Sequence, residues 1–179
     1  IKSRNRRLHL KQEELEVEQA VNHFASSMYQ QQSIREVLWD VARNCIGRLH
    51  FEDCVIYELD KERQVLCQVA AYGAKSPKAF TIITPIEIPV GKGITGYVAQ
   101  TGQPVIVKNT LEDKRYIVDD KRRLSEIAVP IIIEDAVFGI IDCEHSKKSF
   151  FTQKHLHILQ TIASLCAGKI MNIKAEAEK

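Results

Sequence analysis

Apolar residues recur every three or four positions over residues 8–31, at Leu8, Leu15, Val17, Ala20, Val21, Phe24, Ala25 and Met28. That period predicts an amphipathic helix, ended by the glutamine run Gln30 to Gln32. Ser33 and Glu36 form an S-x-x-E capping box, so a second helix is expected from Ile34. Its apolar positions are Val37, Leu38, Val41, Ala42, Cys45, Ile46 and Leu49. The pattern then becomes strand-like. Residues 54–59 and 65–72 flank a polar Asp60–Gln64 turn and read as a hairpin. A looser stretch, 74–84, carries Pro77 and ends at Pro85, and a short strand over 86–90 is weakened by Pro89. A glycine loop leads to a short helix over about 95–100, then to Pro104-Val105-Ile106-Val107. Residues 109–124 are polar and too long for a tight turn, the kind of loop that often carries function. Residues 127–133 and 136–143 make a second hairpin around Glu134-Asp135, where Asp tolerates a left-handed backbone.

The last helix is expected to start at Thr152 as N-cap. Leu156, Leu159, Ala163, Cys166, Ile170 and Ile173 follow a 3-4-3-4-3 spacing, the heptad pattern of a coiled-coil seam. Ile158, Ile162 and Leu165 occupy a neighbouring face. Either one stripe packs on the sheet and the other on a partner helix, or both form one wide core-facing stripe. Beyond Ala167 the sheet should thin out, which favours a partner helix around Ile170 and Ile173. The order α-α-β-β, loop region, β-β, α, with hairpins and helices at the chain ends, belongs to the α+β class.

Composition narrows the function. Of the 179 residues 45% are apolar and 27% charged, enough for a real core in one domain. The 25 basic and 23 acidic residues leave a formal charge of +2, which argues against a nucleic-acid groove. The basic cluster Lys2, Arg4, Arg6 and Arg7 reads as a solvated linker. No apolar run approaches the ~18 residues of a membrane helix, so no membrane contact is expected of this segment. Five scattered cysteines without a CxxC pair fit a reducing compartment, and a cytoplasmic location is expected. The chain starts at Ile1 directly in a charged segment and reads as a piece of a longer protein.

Gly91-Lys92-Gly93-Ile94-Thr95-Gly96 matches G-x-G-x-x-G, with Glu112 and Asp113 placed roughly 20 residues on, as in a dinucleotide fold. The preceding strand is short and bounded by proline, and the following helix stops at Gly102-Gln103-Pro104, so no βαβ crossover is available. Through Val98 the run also imitates a kinase glycine loop, with Val105-Ile106-Val107-Lys108 after it, yet no H-R-D or D-F-G follows. The simpler reading is that Gly91 and Gly93 turn the backbone into a helix whose N-terminal amides face a small anion or polar ligand.

Val90 to Ala99 followed by Gly102-Gln103-Pro104 resembles the G-x-G-[IL]-x-G-x-V-A…G-x-P signature of GAF domains. Asp113-Lys114-Arg115-Tyr116 is similar to the family's D-P-R-[FY], with Lys where Pro is usual. Ser125-Glu126-Ile127-Ala128-Val129-Pro130-Ile131 resembles S-E-[LI]-A-V-P-[LI], and Gly139-Ile140-Ile141-Asp142 resembles G-V-[IL]-D. The motifs occur in the family's order over residues 33–173. Glu144-His145-Ser146, Phe150-Phe151-Thr152 and Ile162-Ala163-Ser164 are similar to modules of bacterial signalling proteins such as sensor histidine kinases in two-component systems. The resemblance implies a GAF/PAS-like central antiparallel sheet, with helices from both chain ends on one face. The glycine-loop helix and residues 109–124 would close a pocket on the other. It also implies a homodimer through the end helices. On this reading residues 1–32 are linker and signalling helix, 33–173 the GAF domain, and 174–179 a tail leading to a covalently linked output domain. The N-K…F…D-E set of cyclic-nucleotide-binding relatives is absent, which counts against cGMP and cAMP. Residues 91–126 hold no cysteine for sulfoxide-reductase or bilin chemistry and no histidine for haem, so no cofactor is expected.

Tyr97, Arg115, Tyr116, Ser125 and Glu126 are the ligand-binding candidates. Arg115 would pair an anionic group of an unknown small molecule and the tyrosines would wall the pocket; alternatively Arg115 and Glu126 pair with each other. Leu159, Ala163, Cys166, Ile170 and Ile173 are the dimer-interface candidates. His155 and His157 point about 200° apart on their helix, cannot share a metal and read as surface residues. His145 lies near Asp142, Cys143 and Glu144, but strand alternation parts neighbours, so no metal site is expected there. Cys54, Cys67 and Cys143 lie on strands that could adjoin, though packing suits them better than a redox role. Three functions remain open: a non-catalytic sensory module, a purely structural dimerisation relay, and a thiol enzyme of the free methionine sulfoxide reductase type.

Overall fold

In the computed structural model, which describes residues 1–179, the chain enters through two helices, α1 (Lys2–Tyr29) and α2 (Ile34–Gly47). The N-terminal basic cluster is helical and fully solvent-facing. Ser33 caps α2 as expected: its Oγ accepts from the Glu36 amide at 3.1 Å, but the Glu36 carboxylate accepts from the Ser33 hydroxyl at 2.8 Å, where a full capping box would use the Ser33 amide.

Six strands follow: β1 (Asp53–Asp60), β2 (Val65–Tyr72), β3 (Glu87–Pro89), β4 (Val105–Val107), β5 (Ser125–Ile133) and β6 (Ala136–His145). Helix α3 (Gly93–Thr101) separates β3 from β4, and α4 (Gln153–Ala177) closes the chain. The sheet order is β3-β2-β1-β6-β5-β4, with every pairing antiparallel. Both predicted hairpins are present, joined at the centre of the sheet by β1 and β6. The second hairpin turns on Glu134 and Asp135, both with positive φ (51° and 64°), as a two-residue turn matched to strand twist requires. Both edge strands are three residues long, too short to template further pairing.

Alternation along the strands makes two cores. Cys54, Ile56, Ile127, Val129, Ile131, Ile141 and Cys143 face α1, α2 and α4, where Phe24, Leu38, Val41 and Ile162 meet them. Val55, Tyr57, Leu66, Ala128 and Ile140 face the other way, beneath Ile94 and Val98 of α3.

The heptad seam of α4 is spent inside the protomer. Leu159, Ala163, Cys166 and Ile170 are all buried in the helix-side core, and Ile173 is half-buried against it. The partner helix is the chain's own α1. Lys154 meets Glu16 at 3.4 Å and Lys169 Nζ donates to the Tyr29 carbonyl at 3.1 Å, so the two helices run parallel. Heptad spacing specifies a wide apolar face without specifying whose helix covers it. These residues are therefore core, and a charge at Leu159 or Ile170 would break the protomer instead of parting a dimer. No helix is long and apolar enough to cross a membrane.

Candidate functional site: a row of buried carboxylates beneath α3

The glycine loop works as a steric device. Gly91 and Gly93 hold φ of +88° and +68°, which turn the chain into α3. A Cβ on Gly96 would lie 2.6 Å from the Pro89 carbonyl oxygen, so only glycine lets α3 sit this close to β3. A Cβ on Gly93 would meet Ile117 Cδ1, also at 2.6 Å, so the loop over 109–124 closes directly on the start of α3. Ile94, Thr95 and Ile117 thereby roof a small cavity whose floor is the sheet.

That floor is acidic. In register, Asp53 of β1 faces Glu144 of β6, which faces Glu126 of β5. Asp142, two residues before Glu144, shares its face and lies between Val55 and Ala128. All four are buried, at 1–5% exposure. Carboxylates placed opposite one another on adjacent strands repel. The basic groups nearby are committed elsewhere. Arg123 is bidentate to Asp120 at 2.8 and 2.9 Å and stands 3.8 Å from both Asp53 and Glu144. Lys75 pairs with Asp119 at 2.8 Å and donates to the Thr84 carbonyl at 2.8 Å. Neither Glu126 nor Asp142 has an ion-pair partner; their carboxyls hydrogen-bond each other, and Oδ1 of both Asp53 and Asp142 lacks any hydrogen bond. Burial, ahead of mutual repulsion, pushes Glu126 up to about 8 and Glu144 up to about 9, and holds Asp142 well above the usual carboxylate range. Burial likewise raises Asp53 to about 7 against the opposing pull of Arg123.

Of the expected ligand residues, the structure places Glu126 on the cavity floor. Tyr116 stands at its edge: its hydroxyl donates to Glu144 Oε1 at 2.5 Å and accepts from the Arg123 amide at 3.0 Å. Tyr97 and Arg115 form an outer layer instead, the guanidinium stacked 4.7 Å over the ring and bidentate to Asp113 at 3.0 and 2.7 Å. Arg115 pairs with neither Glu126 nor an open anion site, because Asp113 two residues earlier satisfies it locally. Ser125 points away from the pocket; it is fully buried and donates to the Lys147 carbonyl at 2.6 Å, tying β5 to the chain after β6. Of the small anion or polar ligand expected beneath α3, the acidic floor disfavours the anion and suits the polar ligand.

Asp53, Asp142, Glu144, Lys75 and Arg123 escaped the sequence reading. Strand alternation parts His145 from its immediate neighbours, but Asp142-x-Glu144 has the spacing of one face. That spacing was the available signal. On the opposite face Cys54 and Cys143 are register partners, and their third neighbour is Cys45 of α2, not Cys67, which stands by Glu87. His157 is exposed as expected. His155 is half-buried among Phe51, Phe150 and Phe151, and its Nδ1 accepts from the Thr152 amide at 3.0 Å, completing the cap of α4.

A central antiparallel sheet with terminal helices on one face and a lidded site on the other defines a GAF/PAS-like module. Residues 31–170 match the family model of the GAF domain, and the chain belongs to that family. Over 94 residues it is 30% identical to the Caenorhabditis elegans protein named probable 3',5'-cyclic phosphodiesterase pde-5; the match spans 50% of this chain and only 13% of that protein. Among solved structures it is similar to free methionine-R-sulfoxide reductase of Neisseria meningitidis in complex with its substrate (TM-score 0.79, 18% identity, 89% of this chain and 91% of that one). It is also similar to the GAF domain of a phosphoenolpyruvate-protein phosphotransferase from Coxiella burnetii (TM-score 0.80, 15% identity, 92% and 98%). At these identities the structural likeness is one of fold.

Proposed function

We propose that this chain is a regulatory module that binds a small ligand beneath α3 and passes the event on through α1 and α4, within a signalling protein of the bacterial kind. The observation that carries the reading is the under-neutralised carboxylate floor, roofed by α3 and the 109–124 loop. Buried carboxylates without partners are costly, and functional sites are where such cost is retained. The same strands connect floor to helices: β5 and β6 present Glu126, Asp142 and Glu144 to the pocket, and Ile127, Val129, Ile131 and Ile141 to the core that holds α4. The first turns of α1, before Leu10, project past the start of α4, and Leu8, Leu10 and Leu15 are exposed. An isolated helix of that length is marginal in water, which supports a second copy of the chain or an adjoining segment as its partner. The reductase reading is the weaker one, since no cysteine lines the cavity.

Thermal denaturation with a panel of metal salts, amines, amino acids and nucleotides tests the reading, with hydrogen exchange on any hit. A stabilising compound whose effect is lost in Glu126→Gln/Asp142→Asn and which alters exchange in α1 or α4 supports it. A panel without effect on either measurement sinks it, and leaves a purely structural relay.

A further inference from the structure

The carboxylate oxygens of Glu126, Asp142 and Glu144 all lie within 4.8 Å of one another. Oxygens bound to one hard cation at about 2.0–2.6 Å lie within about 5 Å of each other, so this separation suits a shared ion. Asp142 is 4% exposed, lines the cavity, and its Oδ1 has no hydrogen-bond partner. An acceptor without a donor at this depth suits a neighbouring positive charge or donor. Tyr116 fixes Glu144 through its 2.5 Å hydrogen bond, the arrangement by which an outer donor orients a metal-ligating carboxylate.

Size and charge choose the class of ligand. The cavity is about 20 Å³, room for one water or one ion. Organic ligands occupy clefts of roughly 300 Å³ and more. Around it stand Asp53, Asp119, Asp120, Glu126, Asp142 and Glu144, against Lys75 and Arg123, each already tied to an aspartate. All-oxygen donors select magnesium, calcium or manganese over softer metals.

We propose that Glu126, Asp142 and Glu144 bind one hard divalent cation beneath α3. This rests on the ligand-binding reading above and names its ligand. The ion neutralises the strand-to-strand repulsion of the floor and draws β5 and β6 together under the roof of Ile94, Thr95 and Ile117.

Manganese titration of the purified chain, followed by the loss of the free Mn²⁺ electron-spin resonance signal, tests the assignment. Magnesium and calcium serve as competitors, and circular dichroism confirms folding of each variant. One Mn²⁺ should bind per chain. Binding should vanish in Glu126→Gln/Asp142→Asn, weaken about tenfold in Tyr116→Phe, and persist in Cys54→Ala. No binding to the folded wild type, or equal binding in the double variant, overturns the proposal. If the three metals fail while methylammonium or another panel compound stabilises the wild type and not the double variant, the metal assignment falls and the ligand-binding reading stands. If nothing binds, both fall.

Discussion

Strand β6 carries Cys143 between Asp142 and Glu144, and the two kinds of residue leave it on opposite faces. Each meets two more of its own kind. Cys143 joins Cys54 and Cys45 under α2, while Asp142 and Glu144 join Glu126 under α3, and in both trios the ligand-capable atoms lie within 4.8 Å. Both trios are buried. By proximity alone they are equivalent. They differ in what burial does to them. A free thiol is neutral at neutral pH and packs as a small apolar group; burial pushes Cys143 further from ionising, while hydrogen bonds from Cys143 and Cys54 pull Cys45 down to about 5. A carboxylate taken out of water must find a cation, a donor or a proton. The cysteine trio is thus satisfied by packing and by hydrogen bonds among its own thiols, whereas the acid trio is satisfied only by retained protons or by something added. Uncompensated charge, more than clustering, distinguishes a site from a core.

The contrast breaks most severely by moving charge across the sheet. Cys143→Asp places a carboxylate among Cys45, Cys54 and Ile141 with no cation on that face, and should cost about 3–5 kcal/mol. Denaturant unfolding measures it; wild-type stability would show that the helix face tolerates charge and that the two faces do not differ as argued. Two milder substitutions should then move stability in opposite directions. Cys54→Ala removes one buried heavy atom and should lower stability by about 1 kcal/mol. Asp142→Asn replaces a carboxyl that must hold a proton to stay buried with an amide that donates to the neighbouring carboxylates, so in chelated buffer it should raise stability by about 1 kcal/mol. A loss in both would mean that Asp142 is satisfied as it stands.

The same two faces explain what could be read without coordinates. Features set by neighbours in sequence were legible: the Ser33 cap, both hairpins with the turn at Glu134 and Asp135, and the glycines that bring the chain into α3. Pairings set across the chain were not. Nothing local to residues 53–60 announces that they lie beside 136–145, and that pairing is what aligns Asp53 with Glu144 and Cys54 with Cys143. The α4 spacing fits a partner-helix seam and one wide core-facing stripe alike; its cover is α1 of the same chain, a choice no periodicity encodes. Arg115 appeared free to bind a ligand because its partner, Asp113, lies only two residues away, where a side-chain pair on an irregular loop leaves no repeating pattern. Glu126 was found through a family motif, whereas Asp142 and Glu144 needed the i, i+2 rule applied to acids instead of apolar residues.

His155 gives the smallest and most specific test, because it is a titratable group on the cysteine side that meets burial by losing its proton. Burial among Phe51, Phe150 and Phe151, reinforced by Lys154 and His145, lowers its pKa to about 4. Its Nδ1 acts as an acceptor for the Thr152 amide, which only the neutral ring can do. Between about 6.5 and 4 the unfolded chain therefore binds a proton that the folded chain refuses. The stability contributed by the neutral ring is fully present above 6.5 and is lost as pH falls through that window. His155→Gln, which keeps an acceptor at the cap without a titrating ring, should flatten this part of the pH profile of the melting temperature. The effect should be smaller than those above, since the ring is only half-buried. An unchanged acid slope in the variant would show that His155 is hydrated in solution, and that the helix face does not hold its groups neutral in the way the thiol trio implies.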